Sequence, residues 1–266
     1  LDYDLQRLGP DRSNARLRQD LREVDALCGE LIEAAQRADA SVIALSEYGI
    51  TAVSGAVAIN RALRRAGWLK VRVENGRELL DAGVSAAFAV VDHQLAHVYV
   101  SRPELLPEVK ACIAGLDGVE QVLEADGIRA LGLDHPRSGE LVALSRADRW
   151  FSYHYWLEPE RAPDFATTVD IHRKPGYDPV ELFINPGIAV PKAAVGWRLL
   201  KRAAGFRVLM DVISSEDVEL VKGSHGRVTD DPKQGPVIVG DRPDLLGAGD
   251  VRATDVAKLI LRHVFE

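Results

Sequence analysis

Apolar residues at Leu17, Leu21, Val24, Leu27, Leu31, Ile32 and Ala35 recur at helical spacing, with charge between them. That pattern predicts an amphipathic helix over residues 14–38, with Asp11 or Ser13 as candidate caps. The run SVIALS (41–46) predicts a buried strand that ends in the polar turn Ser46-Glu47-Tyr48-Gly49. Further on, NRALRRAGWL (60–69) reads as a short helix, and AAFAVVD and AHVYVS as strands. ELLPEVKACIAGL reads as a helix, VEQVLEA and GELVALS as strands, and AVGWRLLKRAAGF as a basic amphipathic helix. GPVIVG is a late strand, and RATDVAKLILRHVFE is a closing helix that starts at Thr254-Asp255.

Helices that alternate with short buried strands predict an α/β class with a mostly parallel central sheet and helices on both faces. One domain over 1–266 is expected, and the β-dense stretch 84–160 could be an inserted or cap region. Residues 160–183 are rich in Pro, Asp and Gly without a period, which predicts a long loop. The aromatic cluster WFSYHYW just before it predicts that the loop is ordered.

Composition narrows the class. A 47% hydrophobic, 27% charged chain of 266 residues is globular, and no apolar run reaches the ~18–20 residues of a membrane span. A net charge of −7 argues against nucleic acid polymers and anionic membranes as partners. Two distant cysteines, Cys28 and Cys112, fit a reducing, cytoplasmic setting. The chain opens with Leu1 and shows no signal peptide, so a longer product is expected.

Candidate chemistry gathers at strand ends, where open α/β sheets place their ligands. Glu47 and Tyr48 follow one strand, and His225 lies in GSHGR before another. Asp2 and Gln6 are four apart, a spacing that lets two donors on one helical turn share a metal. His93 and His97 share that spacing within HQLAH, but the segment lies between strand patterns and lacks the Glu of a zinc-protease helix. Asp170 and His172 fall on the long loop beside Arg173 and Lys174, two cations that could meet a phosphate or face solvent. Each of these residues also has a plain structural reading, as a cap, a turn or a solvated face.

In order along the chain, these segments resemble the alkaline phosphatase superfamily. The resemblance is in particular to its nucleotide pyrophosphatase/phosphodiesterase (type I phosphodiesterase) and phosphonoacetate hydrolase branches. LDYDLQRLGP is similar to that family's PDxxGHxxGP segment, with Asp2 at the aspartate and Gln6 at the histidine. LSEYGIT is similar to its strand ending SDHGM, with Glu47 at the aspartate and Tyr48 at the histidine. GSHGRVTDDPKQGPVIVG resembles its later HG turn, with His225 at the metal-binding histidine. GLDHPRSGELVALS is similar to the family's late β region.

The resemblance implies an alkaline phosphatase-like α/β sandwich and a two-metal site for phosphate-ester hydrolysis. Asp2, Glu47 and His225 would be ligands, Asp170 and His172 further ligands, and Arg173 and Lys174 phosphate contacts. Gln6 and Tyr48 replace two imidazoles, so Asp92, His93, Asp170 and His172 are the candidates to supply what is lost. Fewer imidazoles would shift the preference from Zn toward harder ions such as Mg or Mn. The family's nucleophile lies upstream of PDxxGH, so this stretch alone is expected to be inactive. The alternative is an inactive relative that binds a phosphate-bearing ligand or a protein partner. Convergence of replacement donors would separate the two.

Overall fold

The computed structural model describes residues 1–168, 173–229, 231–247 and 249–266. The chain begins with α1 (Asp2–Leu8) and α2 (Ala15–Arg37). Three short strands follow, β1 (Ile43–Leu45), β2 (Thr51–Ala52) and β3 (Gly55–Val57), and then α3 (Ile59–Arg65). A hairpin of β4 (Val71–Glu74) and β5 (Arg77–Leu80) precedes β6 (Ala87–Asp92) and β7 (Leu95–Val100). Next come α4 (Leu106–Ala114), β8 (Val119–Leu123), α5 (Ala125–Ala130), β9 (Leu141–Ser145) and β10 (Arg149–Phe151). The last part holds β11 (Gly176–Tyr177), α6 (Pro191–Ala203), β12 (Gly223–Ser224), β13 (Ile238–Gly240), α7 (Pro243–Leu246) and α8 (Val256–Phe265).

The largest described sheet has the order β11-β6-β7-β9-β8. Its alternation decides which side chains go where. Ala87, Ala89 and Val91 of β6, Val98 and Val100 of β7, and Leu141 and Ala143 of β9 join one core with Ile59 and Leu63 of α3 and Val109 and Ile113 of α4. Val142 and Leu144 point the other way and pack with Ile128 of α5. Helices therefore cover both faces, as expected for the α/β class. The sheet is mixed rather than mostly parallel: β6–β7, β7–β9 and β8–β9 run antiparallel, and β11 joins β6 in parallel. The cause is the two-residue turn at His93-Gln94 that joins β6 directly to β7, with no crossover between them.

The stretch 84–160 contributes β6, β7, β8 and β9 to that sheet. Helix α2 matches its predicted span, but Asn14 caps it, accepting a bond from the Arg16 N–H, while Asp11 binds Ser13 instead. The expected buried strand at 41–46 is only half-buried, because β1 has one ladder, to β13, and Leu45 is exposed. In the long loop, Phe165, Asp178, Val180 and Phe183 are buried, so its described part is ordered by packing. The β4–β5 hairpin was not expected. Its signal was the pair Asn75-Gly76, both at positive φ (50° and 78°), which is the signature of a tight hairpin turn.

Candidate functional site

The strand ends named from sequence meet around the segment Lys222–His225. The Lys222 N–H donates to the Gln6 carbonyl (2.7 Å), and the Val53 N–H donates to the Lys222 carbonyl (2.9 Å). β12 then pairs with β2, just after Glu47-Tyr48 in the chain, and the Gln94 N–H donates to the His225 carbonyl (2.9 Å). One extended segment thus ties α1, the turn after β1 and the β6–β7 turn together. Two glycines permit the approach. A Cβ on Gly223 would lie 2.3 Å from the Leu5 carbonyl oxygen, and one on Gly49 would lie 2.0 Å from that of Gln234.

The side chains brought together form an aromatic stack under a rim of acids. The Tyr48 and His225 rings are nearly parallel (6°) with centroids 3.5 Å apart. His93 packs against His225 at 3.8 Å, and Tyr177 against His93 at 5.0 Å. His93 is buried and its Nδ1 lies 3.3 Å from Ser224 Oγ. Gln6 is also buried; its Nε2 donates to Asp2 Oδ2 (2.8 Å), and its Oε1 has no hydrogen-bond partner. Asp2, Glu47 and Asp92 are exposed around the stack.

Electrostatics confirm one shared neighbourhood. Burial raises the Tyr48 phenol above its ordinary pKa, and Asp2, Glu47 and Asp92 each push it further. Burial lowers His225, while the same three carboxylates pull it back up. Burial and the adjacent His225 push His93 down to about 3, so its ring is neutral at ordinary pH. Tyr177 is raised mainly by burial, then by Glu181, Asp2 and Asp178.

Behind this stack lies a buried ionic layer. The Lys174 side chain has no exposed surface and pairs with Glu181 at 2.7 Å. Asp178 is fully buried, accepts from Ser152 Oγ (2.7 Å) and the Val180 N–H (3.1 Å), and lies 3.3 Å from His154 Nε2. The side chain of Lys174, expected as a phosphate contact, thus has its charge held inside the protein by the buried carboxylate of Glu181. Arg173 is exposed and lies 3.7 Å from Asp164, in a different environment from the stack. Asp170 and His172 lie outside the described residues. Tyr177 and Ser224 were missed from sequence: nothing in their local pattern distinguishes them, and β11 and β12 are two residues each. His97, the other half of HQLAH, lies on β7 and accepts a bond from Gly139 N–H, so the two histidines do not form a helical pair.

Three carboxylates, two imidazoles and an orphaned amide oxygen suit a divalent cation in chemistry. As arranged, they do not complete a metal group: among the described residues, no three His, Cys, Asp or Glu side chains are close enough to hold an ion.

Residues 1–178 match the family model described as type I phosphodiesterase / nucleotide pyrophosphatase. The chain belongs to that family. The match contains Asp2, Gln6, Glu47, Tyr48, Asp92 and His93; His225 lies beyond it and reaches the same place through the fold. A comparison with curated proteins gives no match. Among solved structures, the chain is similar to an inactive variant of murine ectonucleotide pyrophosphatase/phosphodiesterase 5 in complex with AMP. That likeness has 20% identity over 57% of this chain and 37% of that one, with a TM-score of 0.41. It is also similar to phosphonoacetate hydrolase from Sinorhizobium meliloti 1021 in complex with phosphonoacetate, at 15% identity over 43% of this chain and 29% of that one, TM-score 0.31. The chain thus spans 37% of the length of the first of these structures and 29% of the second.

Proposed function

We propose that this chain carries part of the site of a metal-dependent phosphoric ester hydrolase of the phosphodiesterase or nucleotide pyrophosphatase type. The observation that carries the reading is convergence. Asp2, Glu47, the adjacent pair Asp92-His93, and His225 come from four distant segments to one aromatic stack within a fold of this family. Asp92 and His93, two of the four candidates to make up for Gln6 and Tyr48, are among them, while Asp170 and His172 lie outside the described residues.

The residues divide the work. Asp2, Glu47 and His225 are the proposed metal ligands, with the Gln6 amide orienting the Asp2 carboxylate. His93 is kept neutral and held by Ser224, so it offers a ring nitrogen as donor or acceptor rather than a charge. Three carboxylates on their own repel an anionic ester. Two divalent ions bound there would outweigh the three negative charges and neutralise charge on the phosphoryl oxygens. Mn, Mg and Zn are the candidate ions, and a small phosphate ester is the substrate class; the cytoplasm is the proposed location.

The replacement of two family imidazoles by Gln6 and Tyr48, with no three-donor group among the described residues, supports a second reading, an inactive relative that binds a phosphate-bearing ligand. Turnover of bis-nitrophenyl phosphate by the natural full-length protein, after chelation and with Mn, Zn or Mg restored, separates the two. The enzyme reading expects ion-dependent turnover and bound metal by elemental analysis, both lost in Glu47→Ala and His225→Ala. No turnover with any ion, together with no retained metal, would leave the binding reading in its place.

A further inference from the structure

Away from the stack, a cavity of about 560 Å³ opens between the β4–β5 hairpin and Asp164, Phe165, Arg173 and Pro175. None of the acids or rings of the stack lines it. Its size lies within the ~300–1,000 Å³ range of small-molecule sites. The floor includes Leu79 and the buried ring of Phe165, and Arg72, Arg77 and Arg173 stand around it with Glu74 and Asp164.

The hairpin register explains the charge. Arg72 faces Leu79 across the strands and Glu74 faces Arg77, so alternation sends all four side chains to one face. Arg72 binds Glu74 at 2.6 Å, and Arg173 lies 3.7 Å from Asp164. Arg77 donates to the Ala162 carbonyl at 2.9 Å, a neutral partner. Among the described lining residues, three guanidinium groups stand against two carboxylates, in a chain whose net charge is −7.

A guanidinium beside an apolar floor recognises a planar organic anion: the fork takes carboxylate or phosphate oxygens and the floor takes the ring. We propose that this cavity binds a small aryl carboxylate or aryl phosphate, with Arg77 and Arg72 on the anionic head and Leu79 and Phe165 under the ring. The site is separate from the acid-rimmed stack and does not depend on hydrolysis there.

Isothermal titration of the full chain with phenyl phosphate, benzoate and inorganic phosphate tests it. Saturable binding of phenyl phosphate or benzoate is expected, the tighter of the two naming the head group. Inorganic phosphate should bind about tenfold more weakly for want of a ring, and Arg77→Ala should weaken the aryl anion by about tenfold. Arg72→Gln, a second exposed hairpin position, should act in the same direction if the first variant folds poorly. Glu47→Ala should leave this binding unchanged, which also distinguishes its failure from failure of the hydrolase reading. Binding of neither aryl anion, binding no tighter than phosphate, insensitivity to both arginine variants, or loss in Glu47→Ala would each overturn the proposal.

Discussion

Two parts of this molecule have equally regular apolar patterns and opposite fates. Around β6, β7 and β9 the pattern is buried: Leu63, Val98, Val109 and Leu141 have no exposed surface. On α2 the pattern is as clear, yet Leu27 is 56% and Leu31 62% exposed, and β13 and α8 likewise leave Val239, Ile260 and Val264 open. The periodicity of a helix is therefore evidence of its form and not of its burial. The apolar area removed from water, worth ~25 cal/mol per Å², sits in the first part. The candidate site straddles the two. His93 and Ser224 are anchored in the buried part, while Glu47 and Tyr48 extend from β1, which has a single ladder.

The largest effects should come from the buried part. Replacing Glu181 by Ala leaves the Lys174 ammonium without its 2.7 Å partner inside the protein, an expected loss of about 3–5 kcal/mol in denaturant unfolding. Leu63→Ala should cost about 2–5 kcal/mol, whereas Leu27→Ala should stay within about 0.5 kcal/mol. Similar costs at Leu63 and Leu27 would break the comparison, since they would mean that the α2 face is covered in solution.

Next in size is a pH effect confined to the buried layer. Burial pushes Asp178 up to about 6, so the stability tied to its protonated form is full below the ordinary carboxylate range and is lost as pH rises toward 6. His154 is held well below its ordinary value by burial, so its contribution is present above about pH 6.5 and is lost as pH falls. Between those limits the two cancel, because folded and unfolded states bind the same number of protons. Each single variant should expose the other's slope. His154→Phe should lose up to about 3 kcal/mol as pH rises from about 4 to about 6. Asp178→Asn should instead lose stability as pH falls below about 6.5. Flat profiles for both variants would remove this account of the layer.

Much of this was legible in the sequence. The helices and most strands follow from period and composition, because local pattern determines local form. Glu47 and His225 were named from strand ends and Asp2 from its spacing to Gln6, and the fold sets all three carboxylate and imidazole groups around Tyr48. What was not legible depends on non-local geometry. Lys174 was open between a phosphate contact and a solvated face, but its side chain turns inward to Glu181. Tyr177 carries no periodic signal, and only the pairing of β11 with β6 sets its ring against His93. The direction of the sheet was misread because apolar runs of this length serve both parallel and antiparallel strands.

The smallest effect tests the junction between the two parts. His93 has φ of +54°, a conformation that residues with a Cβ rarely adopt. Its backbone is held there because its carbonyl accepts from Phe151 N–H (2.6 Å) and the next N–H donates to the His225 carbonyl. Removing the ring by His93→Ala keeps the strained backbone; removing it by His93→Gly relieves it. Both variants lose the same contacts with His225, Tyr177 and Ser224, so the difference between them isolates the turn. His93→Gly should be the more stable of the two by about 1 kcal/mol, against the usual order of these residues. A more stable His93→Ala would mean that the turn relaxes once the ring is gone. The stack, rather than the two backbone bonds, would then be what fixes the His93 conformation.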